Sequence, residues 1–573
     1  MQRPRVSEHL RLAEGATPEL EGDRGVTSFE IDQRVSPIPA RGGEAMSIGE
    51  AERSVGPGLR AIHASAGKHF GVKTYRTLVL SLTFLAYASY HASRRPISVV
   101  KPVLHHPKEI EADGCGGNLT TSSDIHKEVT PEWRPFDGEK GQMRLGDVDL
   151  AFLSAYAVGV MISGHIADQV DPRHFLLVGM LGSGATSLLL SLGYFSNIHE
   201  ISFYVCGQIL SGLFQGTGWP IVVAIVAHWF GKGKRGLVMG LWNAHTSVGN
   251  TLGALMSASV LSYGWGWAFV LLGFFISAAG VFVWSFLVVH PADVGITEPK
   301  IKANDHEEGN VDDQDPLIAA SLPVVEVANA QPKSIGFLRA WSIPGVLPFA
   351  LALFCSKLVA YTFLFWLPFY VTSICIEGSS LSVENATTLS TLFDLGGVIG
   401  GFLAGYLSDM TQSSASVATA FTLSAIPFLY LYNLVGHVSL WLNVVLLILT
   451  GMCVNGPYAL ITTAVSADLG SHQSLQGNQR ALSTVTAIID GMGSIGAALG
   501  PTITGALLAG KGEGNFDRVF SMLVGSSFVG GVMLSGLVWK ELKAWQERRK
   551  HYTNQGGFDQ ETSRLVDSSL PRS

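Results

Sequence analysis

SVGNTLG (Ser247–Gly253) and GSIGAALG (Gly493–Gly500) lie in two apolar stretches of the chain, and each carries glycines at four-residue spacing. Small residues at that spacing let two helices approach closely within lipid. A second pair of similar stretches, GHIAD (Gly164–Asp168) and GYLSD (Gly405–Asp409), is separated by nearly the same offset. Self-similarity at a near-constant offset indicates an internal repeat. The sequence therefore predicts a fold of two related halves.

The composition places these halves in a membrane. Of 573 residues, 47% are apolar and only 14% are charged, whereas soluble domains carry about 25% charged residues. Stretches of about 20 apolar residues, the length that spans a bilayer as a helix, recur along the chain. We predict an all-α membrane protein with twelve transmembrane helices in two pseudo-symmetric six-helix halves, a layout found in many secondary transporters. The spans begin near Arg76, Asp147, Phe175, Phe203, Gly236, Trp267, Gly345, Ser382, Val417, Leu440, Ala481 and Phe516.

Polar segments divide the chain into five parts. Residues 1–74 form an N-terminal tail, 75–290 the first half, 291–343 an acidic central loop, 344–541 the second half and 542–573 a C-terminal tail. The first tail is rich in Gly, Pro and charge, and we expect it to be disordered. The central loop, which contains NDHEEGNVDDQD, cannot bury enough apolar surface to fold alone. The first residues lack the apolar core of a cleavable signal peptide.

The charges of the short loops predict the orientation. Lys and Arg follow spans two, four and twelve, whereas the loops after spans three, five, seven and nine contain neither. Because short cytosolic loops carry the excess of Lys and Arg, both termini and the central loop are predicted to be cytosolic. Glycosylation sequons at Asn118 and Asn385 both fall in loops on the opposite side, and Asn118 is the better predicted acceptor. The plasma membrane and endomembranes both fit this topology.

Nothing in the sequence predicts an enzyme, a metal site or a cofactor. The five cysteines show no CxxC or His-spaced pattern. Cys115 and Cys375 both fall in predicted non-cytosolic loops, where a disulfide between them is one open alternative. GALLAGK (Gly505–Lys511) resembles a phosphate-binding loop, but Gly512 replaces the magnesium-binding hydroxyl and the stretch ends a membrane span. The predicted partners are therefore the bilayer and a small solute, with no nucleic acid.

YHASRRPISVVKP (Tyr90–Pro102) places fixed positive charge at the end of span one. If the helix stops at Ser93, Arg94 lies among lipid headgroups; if it continues to about Leu104, Arg94 lies well inside the protein. Burying an arginine in a membrane costs about 3 kcal/mol or more, so an arginine there is a functional hypothesis. Its planar fork matches phosphate or carboxylate. On the longer helix one face, typical of a water-filled cavity for an anion, carries Tyr87, His91, Arg94, Ser98 and Lys101.

Other polar residues of the spans have two interpretations each. Lys357 in span seven, with Tyr361 one turn later, needs either an anion or a distant carboxylate. Asn243 and His245 in span five can donate hydrogen bonds to a substrate or hold helix to helix.

Four aspartates and one arginine complete the set of candidates. Asp394 and Asp490, in spans eight and eleven, either pair with a buried cation or carry a proton. Asp168 and Asp409 sit at predicted cytosolic helix ends, and Arg173 follows the first of them. We expect these three residues to act in gating.

Several stretches resemble the major facilitator superfamily and, within it, the organophosphate:phosphate antiporter family. The GxxxD elements after spans two and eight resemble the superfamily. RGLVMGLWNAHTSVGN (Arg235–Asn250) resembles the antiporter signature, and GTGWPIVVAIVAHWF (Gly216–Phe230) resembles that family's span four. YHASRRPISVVKPVL (Tyr90–Leu104) and SKLVAYTFLFWLPFY (Ser356–Tyr370) resemble its eukaryotic branch, the sugar-phosphate exchangers and plant glycerol-3-phosphate permeases. The resemblance covers roughly residues 75–545.

The resemblance implies exchange of a phosphate ester, such as glycerol 3-phosphate or a sugar phosphate, for inorganic phosphate by alternating access. In the bacterial members an arginine in span one binds phosphate eight residues before a proline. Arg94 and Pro102 keep this interval, and Arg95 matches a neighbouring lysine.

Two positions depart from the bacterial pattern. The second family arginine, in span seven, corresponds to Ala360, and Lys357 lies one turn earlier. The family histidine of span five corresponds to Thr246, one residue after His245. Moving one residue along a helix rotates the side-chain direction by about 100°. We therefore expect His245 to point in a different direction from the family histidine.

The predicted mechanism is a clamp in which Arg94 and Lys357, one from each half, bind the phosphate dianion, while Tyr87, Tyr90, Tyr361 and Asn243 add hydrogen bonds. One alternative is a proton-coupled carrier of another organic anion, with Asp394 or Asp490 as the proton carrier. Another is a transporter-like receptor that acts through its tails and acidic loop.

Overall fold

The computed structural model describes residues 38–39, 45–46, 55–66, 70–105, 132–167, 170–230, 242–296, 341–465, 469, 479–509 and 515–568. The chain divides into two compact units, residues 1–47 and residues 48–573. In the first unit two short strands, β1 (Ile38–Pro39) and β2 (Ala45–Met46), pair in antiparallel orientation. The second unit is a helical bundle with one small hairpin, β3 (Cys375–Ile376) and β4 (Ser379–Ser380).

The described helices of the bundle follow the predicted spans. Ten helical segments within the described residues are long and apolar enough to cross a membrane. The other two predicted spans are span one, which is the interrupted pair α2–α3, and span five, which is the 15-residue helix α8. Span four is α6 with α7. The helices are α1 (Pro57–Ala66), α2 (Val72–Ser93), α3 (Arg95–Leu104), α4 (Gly141–Ala167), α5 (Pro172–Phe195), α6 (Ile201–Gln215), α7 (Gly218–Trp229), α8 (His245–Ser259), α9 (Gly266–Phe286), α10 (Val346–Thr372), α11 (Val383–Thr411), α12 (Ser414–Val435), α13 (Leu440–Leu460), α14 (Gln479–Leu508) and α15 (Asn515–Ser568).

The first span is a helix with one break, at Arg94. This residue keeps right-handed helical angles, φ −81° and ψ −20°, between α2 and α3. Pro96 accounts for the break, because proline has no N–H for the carbonyl four residues earlier and its ring crowds that carbonyl. The helical path still reaches Leu104, as the longer of the two interpretations predicts. Arg94 is 5% exposed and lies inside the bundle.

Each half contains one helix pair that packs backbone to backbone through the predicted glycines. In the first half Gly249 and Gly253 of α8 face α2, and in the second half Gly496 and Gly500 of α14 face α10. A Cβ at any of these four positions would lie between 2.1 and 2.5 Å from a backbone oxygen of the facing helix. Only a residue without a side chain allows this approach. The matching geometry in both halves is what the internal repeat predicts.

Two of the helix pairs that join the halves are α4 with α14 and α8 with α11. Helix α4 packs on α14, where a Cβ on Gly505 would lie 2.7 Å from the backbone oxygen of Gln142. Helix α8 packs on α11, where Asn250 Nδ2 donates a hydrogen bond to Asp394 Oδ1 over 3.2 Å. Because each pair joins one helix of either half, the seam between the halves runs through the centre of the bundle.

The predicted tail 1–74 contains ordered structure, which corrects the sequence interpretation. Helix α1 lies within it, and Val55 and Leu59 are 3% and 1% exposed in a core shared with α2 and α9. His63 Nε2 and the Tyr75 hydroxyl share a hydrogen bond of 2.8 Å. The averaged composition of a long polar segment conceals one short amphipathic helix, and its apolar side is buried on the bundle.

Other predictions about loops and tails fall partly outside the described residues. Helix α15 continues to Ser568, so most of the predicted tail 542–573 is helical. Asn118 and Cys115 lie outside the described residues, as do residues 297–340 of the central loop. Cys375 is disulfide-bonded, while the other described cysteines, Cys206, Cys355 and Cys453, carry free thiols.

Replacing Gly496 by alanine tests the close approach of α14 and α10. The new Cβ would lie 2.1 Å from the backbone oxygen of Phe354, so the helices must separate, at a cost of about 1–3 kcal/mol. We expect the melting temperature of the detergent-solubilised protein to fall. Gly491→Ala is the matched control, since it lies on the same helix with nothing within 4 Å of its Cβ. Equal melting temperatures for the two variants would contradict this packing.

Candidate substrate-binding site

Arg94 lies buried beside two aromatic rings of α4. Its Nε donates a hydrogen bond to Gln215 Oε1 over 2.6 Å. Its guanidinium carbon lies 4.6 Å from the ring centre of Tyr156 and 5.8 Å from that of Phe152. Such contacts stabilise a cation without neutralising it. Its Nη2 has no hydrogen-bond partner among the described residues, so one edge of the guanidinium fork is available for an additional acceptor.

Arg94 differs from every other buried Lys or Arg of the described residues in having no acidic neighbour. Lys101 pairs with Asp149, Lys357 with Asp490 and Arg173 with Asp171. Arg95 interacts electrostatically with Asp394. The described partners of Arg94 are instead the Gln215 amide and the rings of Phe152 and Tyr156. An uncompensated charge inside a membrane protein is costly. Binding an anion is therefore most favourable at Arg94.

Lys357 approaches the same place from the other half. Its Nζ lies 2.7 Å from Asp490 Oδ1 of α14, so of the two partners predicted for this lysine the structure contains the distant carboxylate. The Tyr458 ring of α13 lies 5.4 Å from its Nζ. Lys357 is 5% exposed, and it is held at the seam by this one carboxylate and the surrounding aromatic rings.

Three tyrosines connect the two cations. Tyr156 and Tyr361 each interact electrostatically with both Arg94 and Lys357. Tyr458, already beside Lys357, also interacts with Arg94. Tyr156 belongs to α4 in the first half, whereas Tyr361 and Tyr458 belong to α10 and α13 in the second. We call Arg94, Lys357 and these three residues the seam cluster; it presents two cations and three hydroxyl groups to one small volume.

The remaining candidates of the first half form an aromatic layer behind Arg94. The Tyr87 hydroxyl lies 3.3 Å from that of Tyr156, and the Tyr90 hydroxyl lies 3.3 Å from Thr217 Oγ1. The rings of His91 and His245 stack at 5.9 Å, and His245 is fully buried. This layer fixes the direction of the helix that carries Arg94.

Two small cavities lie beside the cluster. One, of about 10 Å³, is lined by Arg94, Gln215 and neighbouring side chains. The other, of about 20 Å³, lies between the halves, and its lining includes His91, Thr246, Ala360, Tyr361 and Asp394. Each has room for roughly one water molecule. Neither cavity, as described, has room for a larger solute.

The cavity lining also locates the two positions that depart from the bacterial pattern. Ala360 and Thr246, which stand where that pattern has its second arginine and its histidine, both line the larger cavity. His245 lies behind them in the aromatic layer. Asn243 lies half-buried in the short helical stretch before α8 and belongs to the lining of neither cavity.

Lys101 sits in a separate cluster from Arg94. Its Nζ bonds to Asp149, and both side chains are 0% exposed. The same Nζ lies 4.2 Å from the Trp366 ring centre of the opposite half. Although Lys101 shares a helical stripe with Arg94 in the sequence, the break at Pro96 interrupts that periodicity. In the described arrangement the pair contributes to the contact between the halves.

Near the contact of Lys101 with Trp366, a backbone carbonyl of α10 also joins the two halves. The Leu364 oxygen accepts hydrogen bonds from Arg95 Nη1 over 2.5 Å and from Ser98 Oγ over 2.8 Å. Pro368 explains why this carbonyl is available, because the N–H that would bond to it within the helix is missing. We call the contact of Arg95 and Ser98 with Leu364 the carbonyl latch.

The predicted gating residues have different environments. Arg173 pairs with Asp171, which caps α5 by accepting the backbone N–H of Arg173 over 2.9 Å. Partial burial raises the pKa of Asp171, but hydrogen bonds from Arg173 outweigh it and hold that pKa below its ordinary value. The stabilisation is thus present at neutral pH and lost as the pH falls through the folded-state pKa. Asp409 is exposed at the end of α11, and Asp168 lies outside the described residues.

Sequence inspection missed several residues of the site. Asp149, Tyr156, Gln215, Asn250 and Tyr458 each contact a candidate from a distant part of the chain. The available signal was a polar or acidic side chain inside an apolar span, which the sequence contains at each of these positions. What the sequence does not give is the partner.

Apolar helices in two related halves, with a buried polar site at their seam, define an integral multi-pass membrane protein of the transporter class. The Major Facilitator Superfamily model matches residues 136–474. The chain belongs to this superfamily, as its motifs predict.

Two relatives cover most of the chain. It is 48% identical over 487 residues to "Putative glycerol-3-phosphate transporter 1" of Arabidopsis thaliana, an alignment that covers 85% of this chain and 92% of that one. It is 45% identical over 485 residues to "Glucose-6-phosphate exchanger SLC37A2" of Bos taurus, covering 82% and 96%. Each alignment covers more than nine tenths of the relative and more than four fifths of this chain, so the similarity includes both halves.

Replacing Pro368 by alanine tests the carbonyl latch. The restored N–H competes with Arg95 and Ser98 for the Leu364 oxygen, so we expect the seam to open more often. A cysteine at Gly146, which lies against α14, reports this opening through its rate of reaction with a maleimide, in a background where Cys206 is serine. We expect labelling to accelerate by about threefold, a shift worth under 1 kcal/mol.

Pro427→Ala is the control for the latch. Pro427 lies inside α12 and is exposed, so its replacement should leave the labelling rate unchanged. Equal acceleration in both variants would mean that the loss of any helix proline loosens the bundle, which contradicts a specific latch.

Proposed function

We propose that this protein is a secondary transporter that exchanges a phosphate ester, glycerol 3-phosphate or a sugar phosphate, for inorganic phosphate by alternating access. The single observation that carries the proposal is Arg94, a buried guanidinium at the seam that forms no ion pair with a described carboxylate and has one free edge. The names of the two relatives supply the solute class, since each contains a phosphate ester.

The chemistry of the seam cluster suits a phosphate group better than a carboxylate. A phosphate ester carries about −1.5 to −2 charge at pH 7 and three acceptor oxygens. Arg94 offers a planar fork that binds two of these oxygens. Lys357 offers a second cation from the opposite half, and the hydroxyls of Tyr156, Tyr361 and Tyr458 are hydrogen-bond donors. The organic part of the phosphate ester then lies toward the larger cavity, beside Asn250 and Thr246.

Exchange, rather than one-way transport, follows from the charge of Arg94. When the solute leaves, the guanidinium loses its counter-charge, and closing the halves around it is costly. A bound anion removes that cost, so the site switches quickly from one side of the membrane to the other only when an anion is bound. Phosphate entering from one side therefore promotes the return step for the ester from the other.

The two halves provide the moving parts. The cavities beside the site hold roughly one water each, so binding and release require the seam to open. The carbonyl latch and the contact of Lys101 with the Trp366 ring close one end of the bundle and must separate when that end opens. We place both chain termini in the cytosol, on the Lys and Arg of the loops after spans two, four and twelve, and Asn118 on the opposite side as a glycosylation site.

A proton-coupled carrier of another organic anion is the second candidate. Asp394 lines the larger cavity and is buried with Arg95 as its electrostatic partner, which suits a group that exchanges a proton between states. Uptake driven by a pH gradient into vesicles that contain no phosphate would favour this candidate.

Reconstituted vesicles loaded with phosphate test the proposal through Arg94. We expect Arg94→Ala to reduce uptake of labelled phosphate by about 100-fold, and Arg94→Lys, which keeps the charge but loses the fork, by about tenfold. Arg76→Ala is the control, since Arg76 is exposed on the same helix. Undiminished exchange by a folded Arg94→Ala protein would refute the role of this residue.

A further inference from the structure

The ion pair of Lys357 and Asp490 lies within the site that the substrate must enter. The two groups are 2.7 Å apart, with side chains 6% and 14% exposed. Tyr458 interacts electrostatically with Asp490 and with Arg94, so the carboxylate shares its surroundings with the proposed phosphate anchor. In the described arrangement Asp490 therefore takes the cation that a phosphate group would use.

Both cations of the seam cluster can face one phosphate group only if this pair separates and water takes over the Asp490 carboxylate, which is 14% exposed. Arg94 and Lys357 bring two positive charges, and Asp490 cancels one of them. A phosphate dianion facing Arg94 alone would leave one negative charge uncompensated at a buried site. Once Lys357 turns to the phosphate, two positive charges face about two negative ones.

The bundle contains a second lysine–aspartate pair, Lys101 with Asp149, which is more deeply buried than Lys357 with Asp490 and which we interpret as structural. Lys101 and Asp149 are each 0% exposed, and the Trp366 ring covers the lysine. The groups that interact with the charge of Lys101 are Asp149 and the neighbouring rings, and none belongs to the seam cluster. Asp490, by contrast, retains some solvent contact, which allows its carboxylate to swing away from the lysine.

We propose that Asp490 is an internal competitor of the substrate: its carboxylate occupies Lys357 in the empty carrier, and the incoming phosphate group displaces it. The inference rests on the proposed function, because it assigns to Lys357 the second contact with phosphate. Asp490 thereby lowers the affinity for phosphate and limits the charge that the empty carrier leaves uncompensated. It is a positioning residue that acts through Lys357.

Binding of inorganic phosphate to the purified full-length protein, measured by calorimetry in detergent, tests this role. We expect Asp490→Asn to bind phosphate about three- to tenfold more tightly than the wild type, since the competitor is gone. Asp490→Glu keeps a carboxylate and should restore wild-type affinity. The double variant Lys357→Met/Asp490→Asn removes the competitor and the cation together, and should bind about tenfold more weakly than the wild type.

The controls separate competition from a purely structural ion pair. Asp149→Asn breaks the other lysine–aspartate pair and should not tighten binding. A structural pair predicts instead that the double variant binds like the wild type, because neutralising both partners leaves no buried charge. That result would overturn the inference, as would Asp490→Asn binding no more tightly than the wild type.

Two further measurements keep the result interpretable. The melting temperature of each ligand-free variant shows that it is folded, and the double variant, which leaves no unpaired charge, provides a test even if Asp490→Asn is unstable. Arg94→Ala is measured in the same assay. If it binds phosphate like the wild type, the proposed function fails; if it loses binding while Asp490→Asn gains none, the competitor alone is refuted.

Discussion

The structure depends on one unbalanced interaction, the burial of the Arg94 guanidinium without a carboxylate among its described neighbours. Every other described buried Lys or Arg has an acidic group near it, so each of those is at least partly compensated. Arg94 is stabilised by Gln215 and by aromatic rings, which hold it in place and leave its charge unmatched. An anion that enters the seam completes this interaction, and its departure makes closing unfavourable.

Two prolines shape the seam around that charge. Pro96 breaks the first span at Arg94, and Pro368 leaves the Leu364 carbonyl free in the facing helix of the other half. Arg95 and Ser98, just past the break, bond to that carbonyl. Pro96 in the first half thus provides the break in the helix, and Pro368 in the second half provides the free acceptor. These hydrogen bonds can separate and re-form without unfolding either helix, because each helix keeps its own backbone hydrogen bonds.

The fold was largely predictable because it rests on local and repeated patterns. Apolar runs located the spans, and the glycines of Ser247–Gly253 and Gly493–Gly500 marked the two close helix pairs. Arg94 was predictable too, since a charged residue inside an apolar helix is conspicuous. Lys101 shows where the pattern fails: it shares a stripe with Arg94, but it bonds to Asp149 of another helix. Gln215 and Asp490 reach their partners across 121 and 133 residues, and a single sequence contains no signal for such pairs.

The seam cluster is also where local rules are broken. Its cations and tyrosines, with the Asp490 carboxylate beside them, replace the apolar core that a purely structural bundle would have, and such costly groups are expected at a functional site. The most direct measurement is an experimental structure with inorganic phosphate bound. The account predicts phosphate oxygens within hydrogen-bond distance of both the Arg94 guanidinium and Lys357 Nζ, with Asp490 moved off the lysine. Phosphate bound away from Arg94, with that guanidinium unchanged, would contradict it.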